Sequence, residues 1–138
     1  MTIVDFLKKH IEESKVFDEL KKINVDFTGQ QKDDYSINME PELIELVDVT
    51  GELYYAEYNF SITTKKYTSS TLKRIENLNL LEKIRTWIRN NPLKNNELLD
   101  NGLLATKIEL PTYGYLFEND TKNSEGVYQI KGKLICEI

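Results

Sequence analysis

One histidine, one cysteine and one tryptophan stand among 138 residues, so several kinds of chemistry lack their parts. A protein-held metal needs several converging ligands, and His10 has neither a second histidine nor a CxxC pair to join it. His10 lies in a helical stretch and reads as structural or solvated. Cys136 cannot form an internal disulfide. It falls on the apolar side of a strand and reads as a small core residue. A reactive thiol would want a basic neighbour or a helix N-terminus, and neither is evident. GxxxxGKS/T, GxGxxG and GxSxG are all missing. Carboxylates are plentiful, but no spacing singles out a general acid and base. Asp33-Asp34 and the stretch Asp48 to Glu52 read as turn and strand-end residues. Catalysis, metal and cofactor are therefore not expected. No apolar run approaches the ~18 residues of a membrane span. The start, MTIVDFLKKHIEESK, is amphipathic and mixed in charge, unlike a signal peptide. Cytoplasmic synthesis is the default expectation.

Apolar residues make up 40% of the chain and charged residues 30%, which suits a folded domain with a buried core. The length suits one domain over residues 1–138. The net charge of −5 and the scattered lysines give no grip on a phosphate backbone. A weakly negative surface is compatible with a channel through which DNA slides without sticking.

The spacing predicts a helix from Thr2 to about Lys22, with Ile3, Val4, Leu7 and Ile11 on one stripe. Val16, Phe17 and Leu20 drift from that stripe, which allows a bend or break near Ser14. The stripe reads as core packing, because its lysines are balanced by glutamates, unlike those of a membrane-surface helix. Ile23 to Phe27 alternates as a short strand, and TGQQKDD is a turn. YSINM alternates again with Tyr35, Ile37 and Met39 on one face. Pro41 ends that strand near Glu40 or places it at an edge.

ELIELVDVTGELYYAEYNFSITT reads as a hairpin turning at Gly51. Tyr54, Ala56, Tyr58, Phe60 and Ile62 face one way; Leu53, Tyr55, Glu57, Asn59 and Ser61 face the other. Tyrosines mark interfaces and are also good strand formers. A second helix follows, capped by a Ser or Thr within Thr68 to Thr71 and stopped by Pro92. Leu80, Leu81, Ile84, Trp87 and Ile88 share one face, but Leu72, Ile75 and Leu78 lie on another. Either the helix kinks near Asn77 to Asn79 or its first turns pack elsewhere. Trp87 reads as a core anchor rather than a ligand platform. LKNNELLDNG is a loop, LLATKIELP and TYGYLF are short strands, and ENDTKNSEG is a polar turn. GVYQIKGKLICEI closes the chain with unbroken period two, Tyr128, Ile130, Leu134, Cys136 and Ile138 against Gln129, Lys131, Lys133 and Glu137.

The order of these pieces is more telling than any one of them. YSINMEP, then the aromatic strand YAEYNFSITTKKY, then a helix ending in EKIRTWI, then TKIELPTYGYLFEND and VYQIKGKLIC resemble the minor capsid, or tail terminator, proteins of long-tailed bacteriophages and related prophage particles. The resemblance runs from about Tyr35 to Ile135. It departs at NNPLKNNELLDNG, where the family leads one to expect a loop richer in glycine and proline. The resemblance implies a structural virion protein, not an enzyme. Such a protein caps the tail tube, ends its polymerisation and offers a head-attachment surface at the head–tail junction. Its implied partners are copies of itself in a ring, commonly a homohexamer, the major tail tube protein and head–tail connector proteins. DNA passes through the lumen without specific binding, and no membrane is involved.

The expected fold is α+β, tail-terminator-like: an antiparallel or mixed sheet with two helices packed on one face. Candidate interface residues are Tyr54, Tyr55, Tyr58, Tyr113, Tyr115, Asn119, Asp120, Lys122 and Asn123. The rivals are another neck component, such as a head-completion or stopper protein, and the tube cap of a headless bacteriocin-like particle. From another class the rival is a small α+β enzyme or ligand-binding domain.

Overall fold

The computed structural model describes residues 1–16, 23–25, 35–94 and 96–138. The elements are α1 (Ile3–Glu13), β1 (Ile23–Val25), β2 (Tyr35–Val47), β3 (Leu53–Tyr67), α2 (Thr71–Asn90), β4 (Leu104–Glu109), β5 (Tyr115–Asp120) and β6 (Glu125–Glu137). The sheet order is β1-β2-β3-β6-β4, with β5 also paired to β6. Among the described strands only β1 and β2 pair in parallel. The fold is α+β, as the sequence leads one to expect.

The closing strand β6 is an interior strand. Its whole length pairs with β3, from Tyr55↔Glu137 to Tyr67↔Glu125. Its other side is shared by β4, from Leu104↔Glu137, and β5, from Tyr115↔Gln129. β4 and β5 thus act as one interrupted edge, broken at residues 110–114. Cross-strand rows fill the core face: Ala56, Cys136 and Ala105 in one, Tyr58, Leu134 and Ile108 in the next, and Ile37, Ile62 and Ile130 in a third. All are buried, together with Phe6, Leu7 and Ile11 of α1 and Leu81, Ile84 and Ile88 of α2. Each such aliphatic or aromatic side chain contributes roughly 1.5–3 kcal/mol on burial. Ile138, expected to continue the apolar side, lies beyond the strand end and is exposed, while Gln129 of the polar side is buried.

α1 starts at Thr2, whose side chain accepts from the Asp5 amide. It stops at Ser14, where the sequence allowed a break. Ser14 Oγ donates to the Ile11 carbonyl at 2.6 Å, and Lys15 turns into the left-handed region. The expected continuation from residue 17 to Lys22, with Phe17 and Leu20, lies outside the described residues. β2 does not end near Glu40 but runs on to Val47. Among the described residues β1 covers only Tyr35 to Ile37, and Pro41 lies beyond it, inside a register shift between Met39 and Leu43. There a missing N–H costs no ladder bond. Asn59 Nδ2 bonds the Glu42 carbonyl within that shift at 3.1 Å.

Between β2 and β3, Asp48 organises the turn. Its Oδ1 accepts from Thr50 Oγ1 at 2.6 Å and from the amides of Thr50 and Glu52 at 2.8 and 3.1 Å. These bonds hold its carboxyl below the ordinary carboxylate range, the Thr50 hydroxyl first among them. Gly51 supplies the positive φ of +85°. α2 is one continuous helix capped by Ser70. Asn77 Nδ2 bonds the Tyr67 carbonyl at 2.8 Å and pins the helix to the end of β3. Its two apolar faces are reconciled by exposure: Leu81, Ile84 and Ile88 are buried, while Leu72, Ile75 and Leu78 face solvent. No described helix is long and apolar enough to cross a membrane.

At Gly132 the core side chains of β3 and of the chain after β4 close over the backbone of β6. A Cβ there would stand 2.5 Å from Phe60 Cζ and 2.6 Å from Leu110 Cδ2. Both neighbours are core side chains, so Gly132→Ala is expected to destabilise by about 1–3 kcal/mol through overpacking. Phe60→Leu in the same chain should recover part of the loss. Urea unfolding of wild type and the two variants measures it, and an unchanged midpoint for Gly132→Ala would contradict this packing.

Candidate interaction surfaces

Among the described residues no group of three or more His, Cys, Asp and Glu side chains is placed to hold a metal ion. Cys136 is buried, and desolvation pushes its thiol up to about 11, away from the thiolate that reacts. What the fold presents instead is three surfaces.

The first is the arm formed by the second half of β2 and the turn after it. Every residue from Pro41 to Glu52 is exposed. Leu43, Ile44, Leu46, Val47 and Val49 stand out on both sides of an edge strand, beside the half-exposed Tyr54. Among residues 35–64 are six acidic side chains and no lysine or arginine. The signal was legible in the sequence as a missing charge sign, and the alternating tyrosines of β3 drew attention away from it.

The second surface lies at the diagonally opposite corner. β5 pairs with the first half of β6 and is exposed along its whole length. Tyr115, Leu116 and Phe117 lie there, with Tyr115 and Phe117 edge to face at 6.5 Å. The exposed face of α2, Leu72, Ile75 and Leu78, begins near this end, since Tyr67 carries Asn77 and pairs with Glu125.

The third is a cleft of about 340 Å³ between the end of α2 and β4. Ile88, Leu93, Ile108 and Leu110 give it an apolar floor, and Arg85, Arg89 and Lys107 surround it. Arg85 bonds the Leu110 carbonyl at 2.9 Å and Glu82 at 2.9 Å, and lies 4.8 Å over the Tyr113 ring. Lys107 pairs with Glu109 at 2.8 Å. Arg89 is exposed and has no acidic partner among the described residues. His10 lines the cleft too, stacked on Phe6 and 5.0 Å from Trp87. Trp87 is half-buried against the core, an anchor as expected.

The structure separates the candidate interface residues. Tyr54 and Tyr113 are exposed and Tyr55 is half-buried. Tyr58 is buried and its hydroxyl accepts from Asn101 Nδ2 at 2.9 Å, so the core and the 99–103 turn occupy it. Tyr115 is exposed but its hydroxyl accepts from Gln129. Asn119 meets Thr68 at 3.4 Å. Asp120 and Asn123 build the turn after β5: Asp120 accepts from the Lys122 and Asn123 amides and from Asn123 Nδ2. The polar stretch from Glu118 is therefore strand through Asp120, and only residues 121–124 are turn. Sequence reasoning did not select Leu43, Ile44, Val47, Arg89 or Lys107.

No protein-family model matches the chain, and no curated protein sequence matches it either.

Burial lowers the pKa of His10 below its ordinary 6.5, against a weaker upward pull from Glu13. The unfolded chain therefore binds the proton more readily than the folded one. His10 contributes stability that is present above 6.5 and lost as the pH falls from there through the folded value. A His10→Gln chain is expected to lose less melting temperature than wild type on going from about pH 7 to about pH 5. Equal slopes for the two chains would contradict the burial of a neutral imidazole.

Proposed function

We propose that this chain is a structural virion protein of the tail-terminator kind. It caps the phage tail tube, ends tail polymerisation and provides the surface to which the head attaches. The observation that carries this reading is the pair of unlike surfaces on opposite edges of one sheet, the acidic apolar arm on the β2 side and the β4–β5 side with its cleft and exposed aromatics on the other. A subunit that closes a ring uses two different surfaces, front and back, and needs no self-complementary patch. The order of elements expected from the resemblance supports the same reading. In this role the ring is a homohexamer whose neighbours are the tube protein below and the connector above. The net charge of −5 suits a passage that repels DNA rather than holding it. The work is done by shape, and no reaction is catalysed.

The cleft beside α2 favours a second reading, a small ligand-binding domain, because an apolar floor with cationic walls suits an anionic amphiphile. Two of its polar groups are engaged within the chain, Arg85 with Glu82 and Lys107 with Glu109, which supports it less well than the first reading.

A particle-producing strain that lacks this chain is expected to make DNA-filled heads and to make tails that are abnormally long or unjoined. Tube subunits keep adding while the growing end stays open. Electron micrographs of the lysate decide it. Normal-length tails on heads would contradict the terminator role, and complete tails beside empty heads would assign a head-completion protein instead.

A further inference from the structure

We infer that the 41–52 arm of one copy seats in the Arg85–Arg89–Lys107 cleft of the next copy, with the outer edge of β2 facing the Lys107–Glu109 stretch of β4, beyond the Leu104–Ala105 end that Glu97 and Leu98 cover. The assignment rests on the ring reading above and names the surfaces that close it.

Three features of the chain choose this occupant. Among the described residues β1 pairs with β2 only as far as Ile37, and the arm beyond carries apolar side chains on both faces, a surface that natural sheets cover or blunt. Its carboxylates Glu42, Glu45 and Glu52 have no cationic partner among the described residues. Arm-to-arm pairing would set like charges opposite each other, which is destabilising. The arm therefore rejects itself and selects an apolar surface of positive charge. This chain carries one. Arg85, Arg89 and Lys107 line it around an aliphatic floor; Arg85 is paired with Glu82 and Lys107 with Glu109, so Arg89, which has no acidic partner among the described residues, is the cation left for the arm.

Register supplies the third feature. Ile44 pairs with Glu57, Glu57 with Ile135 and Ile135 with Lys107. Leu43 connects in the same way through Tyr58 and Leu134 to Ile108. Arm and cleft thus lie on the same cross-strand rows at opposite edges of the sheet. β2 and β4 also run in opposite directions, because each step β2-β3-β6-β4 is antiparallel. A second copy placed side by side in the same orientation meets β4 with β2 antiparallel, and the register introduces no axial rise. Head-to-tail docking without a rise permits a closed ring, which forms when the rotation between successive copies divides a full turn.

The test is disulfide trapping with the full chain, Ile44→Cys and Lys107→Cys together, with buried Cys136 kept. Mild oxidation is expected to give a ladder of linked multimers that ends at a closed ring. Each single variant should give no ladder, and the two singles mixed should give a linked dimer. Adding Glu45→Lys or Arg89→Glu should lower the linked yield by about tenfold, and adding both should restore it. Circular dichroism of each variant establishes that the fold persists. Strong dimers from Ile44→Cys alone would overturn the inference, because they mean that arms pair with arms. Absence of linkage, or a ladder indifferent to both charge reversals, would overturn it as well. Any of these results leaves the terminator reading standing if the deletion strain makes overlong tails; normal tails in that strain would sink the reading itself.

Discussion

The pairing of β3 with β6 is the constraint on which the rest of the molecule depends. It joins the middle of the chain to its end over thirteen consecutive residue pairs. Every row of the core face runs through it. Because Gly132 has no side chain, Phe60 and Leu110 can close over the ladder. The two helices then have an apolar floor on which Leu7 and Ile11 of α1, and Leu81 and Ile84 of α2, are buried. Contacts between residues so far apart in sequence form only after large loop-closure costs, which makes a slow, non-local folding topology.

A sheet satisfied at its centre leaves its problems at its edges. Among the described strands β2 outruns β1, and β5 pairs with β6 alone. Open edges of this length invite pairing with other chains. Here they are blunted by Pro41, by register shifts in β2 and by a run of carboxylates. Such devices discourage indiscriminate pairing while leaving room for one partner of complementary charge. An assembling subunit needs that combination, since it must stay dispersed until its neighbour arrives.

The elements were largely legible because their periodicities are clean. Period two marked β3 and β6, Gly51 marked the hairpin turn, and Ser70 lay within the expected capping stretch. Two features were not legible for physical reasons. Whether β2 survives Pro41 depends on whether its outer side carries a neighbour, which is a tertiary fact. The exposed face of α2 could not be told from a second buried face, because Leu72 and Ile75 look the same in either setting. The candidate surfaces were legible only in part. Tyrosine is conspicuous, yet Tyr58 belongs to the core. The more informative pattern was the absence of lysine and arginine from residues 35–64. The cleft joins Arg89 to Lys107 across a helix, a loop and a strand, and no sequence pattern carries that proximity.

Fold, edges and charge combine into an account in which this chain works by occupying a place. In the role proposed above, its two unlike edges join one copy to the next around an axis, and its acidic character suits a passage for DNA. Cryo-electron microscopy of the head–tail junction of the particle tests that claim most directly. The account predicts density for this chain as a closed ring, one layer thick, between the last ring of the tail tube and the connector of the head. Its absence from the junction, or its presence there as a single copy, would contradict the account.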